Sequence, residues 1–281
     1  MSLLANHVAL QTELLGANQH ESYWVFDICY NNTSDIVPTT ITGDMRSINM
    51  ANFGILHWFG MNLAPRFTNL QAQFKHLYAG SNQEGYSDFL IQPIGQIDRN
   101  LITSEKANMD RIAATLGLKE MSQSVLVRKI CTLSGHHRTR KAIFEFDKLI
   151  RSIYTLRYLR DPQLQRDVHR SENRIESYHQ LRATIAQVNG KKELTGRTDL
   201  DVAISNHCGR LIANVVIAYN SMLLSGLLGK CLATGNEKAL DLLRRISPAA
   251  WQHLHFLGHY AFRDKRNQID LDAILAGIEW E

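Results

Sequence analysis

Hydrophobic residues along this chain change their period twice. Near the amino end Val8, Leu10, Thr12 and Leu14 alternate with their neighbours, the period-two spacing of a strand with one buried face. Asn18 followed by Glu21 has capping-box spacing, and Trp24, Val25, Ile28 and Cys29 then recur at helical spacing up to Asn31 and Asn32, which predicts a first helix. Pro38 and the β-branched run from Thr39 to Thr42 predict a short strand that stops at Gly43, leaving Asp44 at a strand's carboxyl end. Ser47 is placed to cap a second helix with apolar positions Ile48, Phe53, Ile55, Leu56 and Phe59, closed by Gly60. A third strand follows near Asn62–Phe67, and Pro65, unable to donate a ladder hydrogen bond, assigns it to a sheet edge.

Strand, helix, strand, helix, strand is the order of an α/β fold with a largely parallel sheet. From about Asn69 to Arg160 the period turns helical, with Val125, Leu126, Ile130, Ile143, Phe146, Ile150, Ile153 and Tyr154 among its apolar positions, predicting an all-helical insertion. A helix from about Gln163 to Val188 follows, ended by Asn189 and Gly190. Its apolar stripe is Ile175, Tyr178, Leu181, Ile185 and Val188, with Glu172, Glu176 and His179 on a neighbouring face. Residues 202–233 are the most apolar helical region. His207, Arg210, Asn214, Asn220 and Ser221 interrupt it, which predicts a buried core helix in place of a membrane span. The remainder, through Trp251 and Tyr260, is expected as short helices joined at Gly235, Pro248 and Gly258. Three segments result: residues 1–68, the first part of the α/β core; 69–160, the insertion; and 161–281, a glutamate-bearing helix and a helical carboxyl-terminal region.

With 281 residues, 44% of them hydrophobic, the chain can bury the core of one large domain or two modest ones. Cys29, Cys131, Cys208 and Cys231 lie far apart with no C-x-x-C pair, which fits neither a disulfide framework nor a zinc ribbon and points to a reducing cytosol. The opening MSLLANHVAL lacks the basic start and long apolar stretch of a signal peptide, so a cytoplasmic protein is expected. The net charge of +4 is unevenly placed: residues 1–100 hold four Lys/Arg and eight Asp/Glu, whereas residues 128–170 hold eleven Lys/Arg and four Asp/Glu, with His136, His137 and His169 among them. A basic stretch of that kind suits a polyanion, since each neutralised phosphate releases counterions. An arginine-rich, solvated helical face is the alternative.

Asp44 has the placement chemistry favours, because ligands of open α/β sheets bind beyond the carboxyl ends of strands and Gly43 permits close backbone approach. Standing alone, it reads more simply as a loop or capping residue, and Glu176 as a solvent-facing helical glutamate. His253, His255 and His259 have a spacing that can bind zinc, though packing and capping roles are the simpler reading. Arg170 and Arg174, one turn apart and flanking the acidic face, can contact a phosphate or form salt bridges; Arg182 is ambiguous. Tyr23, Trp24, Phe26, Trp58 and Phe59 sit at apolar helical positions and are assigned to the core.

Several ordered blocks resemble the transposases of the Tn-three family, the class II replicative transposons. They are ANHVALQTELLGANQHESYWVFDICYNNTSDIVP at residues 5–38, ITGDMRSINMANFGILHWFGMNLAPRF at 41–67, SENRIESYHQLR at 171–182 and SPAAWQHLHFLGHYAF at 247–262. The resemblance implies an RNase H-like core, interrupted by the helical insertion, in which two aspartates and a glutamate hold divalent metal ions. The family's second aspartate falls on Asp44 and its glutamate on Glu176, with Glu172 one turn earlier as the alternative. Their separation of 132 residues agrees with the insertion read from periodicity. Mg²⁺ or Mn²⁺ is the implied cofactor, the hard carboxylate oxygens being suited to it. The implied substrate is double-stranded DNA, at transposon ends and target, and the implied activity is strand cleavage followed by strand transfer, in a homo-oligomer at the bacterial nucleoid. The family's first aspartate belongs to a strand before the ANHV block, and Asp27 and Asp35 are not substitutes for it. The chain is therefore expected to be a fragment, inactive alone. A noncatalytic DNA-binding or oligomerising remnant is the alternative.

Overall fold

The computed structural model describes residues 1–16, 18–80, 83–188, 190, 192, 194–258 and 270–278. Strands β1 (Ser2–Ala5) and β2 (Val8–Thr12) precede helix α1 (Val25–Tyr30), β3 (Thr40–Gly43), α2 (Asn52–Trp58) and β4 (Asn62–Pro65). Next come α3 (Leu70–Gln73), β5 (Tyr78–Ala79), β6 (Gly95–Gln96), α4 (Arg99–Ser104), α5 (Lys106–Gly117), α6 (Gln123–Thr132) and α7 (Arg138–Arg160). Helices α8 (Pro162–Gln187), α9 (Asp199–Thr234), α10 (Glu237–Leu243) and α11 (Leu271–Ala276) complete the order. The fold is mixed, mostly helical, with few and short strands. It divides into two compact units: the first is Met1–Leu3 with Leu15–Asn173, the second Leu4–Leu14 with Arg174–Glu281.

In the first unit β3 and β4 pair in parallel, Thr40 with Asn62 through Gly43 with Pro65, as the alternation of strand and helix predicts. Pro65 lies at the strand's last position, so its missing N–H costs the ladder nothing further on. Phe26, Ile28, Phe53, Ile55, Leu56 and Leu63 form a core with residues of the predicted insertion, among them Leu116, Ile143, Tyr154 and Tyr158. Helix α7 crosses α2 closely: a Cβ on Gly54 would lie 3.0 Å from Phe146 Cδ1.

Two helices of this unit receive caps from afar. Asp147 of α7, buried, accepts a hydrogen bond from Gly54 N at 3.1 Å and another from Phe53 N at the start of α2. Asp27 of α1, also buried, accepts from Gln123 N at 2.6 Å and Ser124 N at 2.9 Å at the start of α6. Carboxylates so placed satisfy N–H groups that no preceding carbonyl can reach. Two expected caps fall elsewhere. Glu21 begins a 3-10 turn capped by His20 and not by Asn18. Ser47 ends a 3-10 turn, Met45–Ser47, and α2 starts only at Asn52, where Asn49 Oδ1 accepts from Ala51 N and Asn52 N at 2.8 Å each.

In the second unit the chain reverses between β1 and β2 at Asn6 and His7, whose φ values are +45° and +80°, a conformation that short polar side chains tolerate best. Strand β2 is paired along part of its length by helix side chains. Asn214 Nδ2 donates to Ala9 O at 3.0 Å while its Oδ1 accepts from Ala9 N at 3.2 Å. Arg210 Nη1 donates to Leu10 O at 2.8 Å, and Asn206 Nδ2 to Thr12 Oγ1 at 3.2 Å. Asn206, Arg210 and Asn214 recur every fourth residue, so α9 presents them as one row. Tyr178 and Leu181 of α8 pack with Ala213 and Ile217 of α9 beside them.

The expectation that residues 202–233 form a buried core helix holds for one face only. Helix α9, capped by Thr198 and Asp201 in a capping box and closed by Gly235 at φ +64°, buries one face only. Among the described residues it is the one helix long and apolar enough, by length and composition, to cross a membrane, and 28% of its most apolar stretch is buried. After α10 the segment through Gly258 runs in turns and not in the short helices expected; Tyr260, like Asn189, lies outside the described residues.

Candidate functional site

Asp44 follows β3 directly and is exposed. Its Oδ1 accepts from Arg46 N at 2.8 Å, capping the 3-10 turn, and its carbonyl accepts from Ser47 N at 3.1 Å and Ser47 Oγ at 2.7 Å. Among the described residues nothing bonds Oδ2. Gly43 lets Ser47 approach closely, since a Cβ there would lie 3.0 Å from Ser47 Oγ and 3.1 Å from Ser47 Cβ and would press on that side chain. The turn is held from below by Asn52, fully buried, whose Nδ2 donates to Ser47 O at 2.6 Å and to Ser22 O at 2.8 Å. Gln123 Nε2 in turn donates to Asn52 Oδ1 at 2.5 Å, and Gln123 Oε1 accepts from Phe26 N at 2.6 Å. A buried network of this kind fixes one backbone geometry, because each of its members would be costly to leave unpaired.

Beside it, Arg66 follows β4. Its N–H donates to Gly43 O at 2.8 Å, and its guanidinium donates from Nη1 to Glu172 Oε2 at 2.6 Å, with the glutamate 19% exposed. Since Gly43 and Pro65 are in register, Asp44 and Arg66 leave adjacent strand ends about 5 Å apart. The first unit thus brings Asp44, Arg66 and Glu172 to one end of its parallel pair. Arg66 lies within the quoted block at 41–67, but nothing in its spacing marks it as the partner of a helix more than a hundred residues on.

Glu176 belongs to the second unit, is exposed, and accepts from Gln180 Nε2 at 3.3 Å. Arg170 forms an exposed ion pair with Asp167 at 3.7 Å, the salt-bridged alternative. Arg174 lies near His7, whose pKa is lowered first by burial and then by that guanidinium. Arg182 donates from Nη2 to Asn206 Oδ1 at 3.0 Å and serves the packing of α8 on α9. His253 Nε2 lies 3.0 Å from Asn220 Oδ1, and Asn220 Nδ2 donates to Pro248 O and Ala250 O at 2.8 and 2.7 Å, so this histidine tethers a turn segment to α9. His259 lies outside the described residues. Among the described residues no group of three or more His, Cys, Asp or Glu side chains is assembled to hold a metal ion. In the first unit the carboxylates of Asp44 and Glu172 are hard oxygens that suit Mg²⁺ or Mn²⁺, with Arg66 competing for Glu172; Glu176 offers the same oxygen chemistry in the second unit.

Of the basic stretch, some cations are committed internally: Arg138 to Glu105 at 3.1 Å, Lys148 to Glu145 at 2.6 Å, and Arg151 to Gln73 at 2.9 Å. Arg128, Lys129, Lys141, Arg157 and Arg160 are exposed on α6 and α7, and are positioned to meet phosphates.

Residues 1–260 match the family described as the Tn3 transposase DDE domain. The chain is 24% identical over 256 residues to a transposase for transposon Tn1546 of Enterococcus faecium, covering 91% of this chain and 25% of that protein. It is 26% identical over 247 residues to a transposase for transposon gamma-delta of Escherichia coli K12, covering 86% of this chain and 24% of that one. With a transposase for transposon Tn501 of Pseudomonas aeruginosa it shares 21% identity over 266 residues, 94% of this chain and 26% of the relative. The chain spans about a quarter of the length of these curated relatives. No solved structure matches it.

Proposed function

We propose that this chain, which belongs to the Tn3 transposase DDE-domain family, contributes carboxylate ligands to a divalent-metal site for DNA strand cleavage and strand transfer during transposition. The observation that carries this reading is Asp44, set at the carboxyl end of a parallel strand, held by a buried network, with one carboxylate oxygen uncommitted. Its partner is Glu176. Glu172 remains the alternative, but its carboxylate is already neutralised by Arg66, which suits a positioning role. The parallel pair β3–β4 is read as part of an RNase H-like core interrupted by the helical segment 69–160.

When bound, Mg²⁺ or Mn²⁺ supplies a Lewis acid that polarises a phosphodiester and activates the attacking oxygen. The chain's own residues do the rest. Asp44 and Glu176 hold the ions, while Arg170, Arg174 and the exposed cations of α6 and α7 bind the DNA backbone and give affinity without base readout. The setting is the bacterial cytoplasm, at the nucleoid, and the intact enzyme works as an oligomer. A noncatalytic DNA-binding or oligomerising role is the second reading, favoured by the exposed basic residues alone.

Titrating Mn²⁺ into the chain, with free ion followed by electron paramagnetic resonance, separates the two. Asp44→Asn and Glu176→Gln are each expected to weaken Mn²⁺ binding by about tenfold or more, the usual cost of a lost metal-site group, with Glu172→Gln far milder. Binding unchanged in Asp44→Asn would leave the noncatalytic reading standing.

A further inference from the structure

Arg66 carries an exposed charge on a backbone that is fixed from three sides. Its own N–H donates to Gly43 O at 2.8 Å, the carbonyl of Pro65 before it accepts from Tyr154 Oη at 2.7 Å, and Phe67 after it is buried edge-on against the rings of Tyr154 and Tyr158. Burial raises the pKa of the Tyr154 hydroxyl well above its ordinary value, so that donor keeps its proton throughout the neutral range.

The side chain on this base is 39% exposed and commits one nitrogen, Nη1, to Glu172 Oε2 at 2.6 Å. A guanidinium has five N–H donors. Among the described residues Nε and Nη2 have no partner, and these two form the parallel fork that matches a pair of phosphate oxygens. Glu172 therefore holds the guanidinium by the one nitrogen that lies outside the free fork. An ion pair this exposed contributes little to stability, but it sets the direction of a long side chain. It also offsets the guanidinium charge, so that a cation at Asp44, one strand over, meets less repulsion.

We propose that the free fork of Arg66 binds the DNA phosphodiester that a divalent ion at Asp44 polarises, with Glu172 as the positioning residue that aims it. The proposal rests on Asp44 being a metal ligand and needs nothing of Glu176. Gly43 and Pro65 are in register, so Asp44 and Arg66 leave neighbouring strand ends about 5 Å apart, and an ion on the uncommitted Asp44 Oδ2 and the Arg66 fork can take different oxygens of one phosphate. Two cations fixed on either side of a phosphoryl group stabilise the charge that develops there during displacement.

The test is the affinity of the full chain for a fluorescently labelled DNA duplex, measured by anisotropy in Mn²⁺ and in EDTA at matched ionic strength. Mn²⁺ should tighten wild-type binding about tenfold, the worth of one shared, charge-assisted phosphate contact, and Asp44→Asn should abolish that gain. Arg66→Lys is the discriminating variant, because an ammonium still pairs with Glu172 but has no fork. It should lose about tenfold in Mn²⁺ and little in EDTA, while Mn²⁺ binding by electron paramagnetic resonance and the urea midpoint stay as in the wild type. Glu172→Gln should lose about threefold in Mn²⁺, and nothing further when added to Arg66→Lys, since it acts through Arg66. Arg66→Lys that binds DNA as the wild type does in Mn²⁺ overturns the proposal and leaves the metal reading intact. A loss equal in Mn²⁺ and EDTA makes Arg66 one more backbone cation and overturns it too. Mn²⁺ that does not bind, or that tightens DNA binding equally in Asp44→Asn, brings down the metal reading and the proposal with it.

Discussion

Replacing Asp147 with asparagine should flatten a pH dependence of stability that the wild type owes to one buried carboxyl. Asp147 is 3% exposed, and burial pushes its pKa from an ordinary 3.8 up to about 7, against the opposing pull of the Gly54 N–H, the Arg151 guanidinium and the Phe53 N–H. A group whose pKa is raised on folding binds its proton more tightly in the folded state. Its contribution to stability is therefore full below about pH 4 and is lost as pH rises through about 7. Between pH 5 and pH 8 the loss works out at about 2 to 3 kcal/mol, taking about 1.4 kcal/mol per decade of proton affinity. Asp147→Asn keeps an acceptor oxygen for Gly54 and Phe53 but cannot titrate. Urea unfolding followed by far-ultraviolet circular dichroism at the two pH values measures the difference, and the wild type should lose about that much more than the variant. A wild type that instead gains on Asp147→Asn as pH rises would mean that pairing with Arg151 outweighs burial, and the reasoning fails.

Asn52→Ala should cost about 3 to 5 kcal/mol in the same unfolding assay, because it strands Ser47 O, Gln123 Nε2 and part of the pairing of Ser22 O inside the protein. Binding of the chain to duplex DNA of any sequence should weaken steeply with salt, and Arg157→Ala with Arg160→Ala should lower the log–log salt slope by about 2 if both meet phosphates; a slope near zero in the wild type would leave these residues as a solvated face.

Much of what places Asp44 is legible in the chain itself. A β-branched run stopped by Gly-Asp can do little other than end a strand there, and the parallel partner followed from strand–helix alternation. Ser47 misled because a serine before an apolar helical run looks like a cap, while the acceptor that serves is Asn49 and the deeper support comes from Gln123 and Asp147, 71 to 94 positions from the groups they bond. Long-range capping leaves no local signal. Helix α9 misled for a related reason. Polar residues interrupting an apolar helix argue for a buried core helix over a membrane span, whereas Asn206, Arg210 and Asn214 point inward to the backbone and hydroxyl groups of β2, and Leu211 and Ile212 between them face out. Periodicity gives the faces of a helix but not which one is covered, when the covering element is a strand edge in need of hydrogen bonds. Arg66 and its pairing with Glu172 were beyond reach on the same ground.

Asp44 and Glu176 are proposed to share a divalent-metal site, and anomalous scattering from Mn²⁺ in crystals of the chain would show whether they do. Manganese is expected at the Asp44 carboxylate, with the Glu176 carboxylate within about 10 Å of it, the reach of a site whose ions lie about 4 Å apart. Manganese absent from Asp44, or Glu176 well beyond that distance, would contradict it.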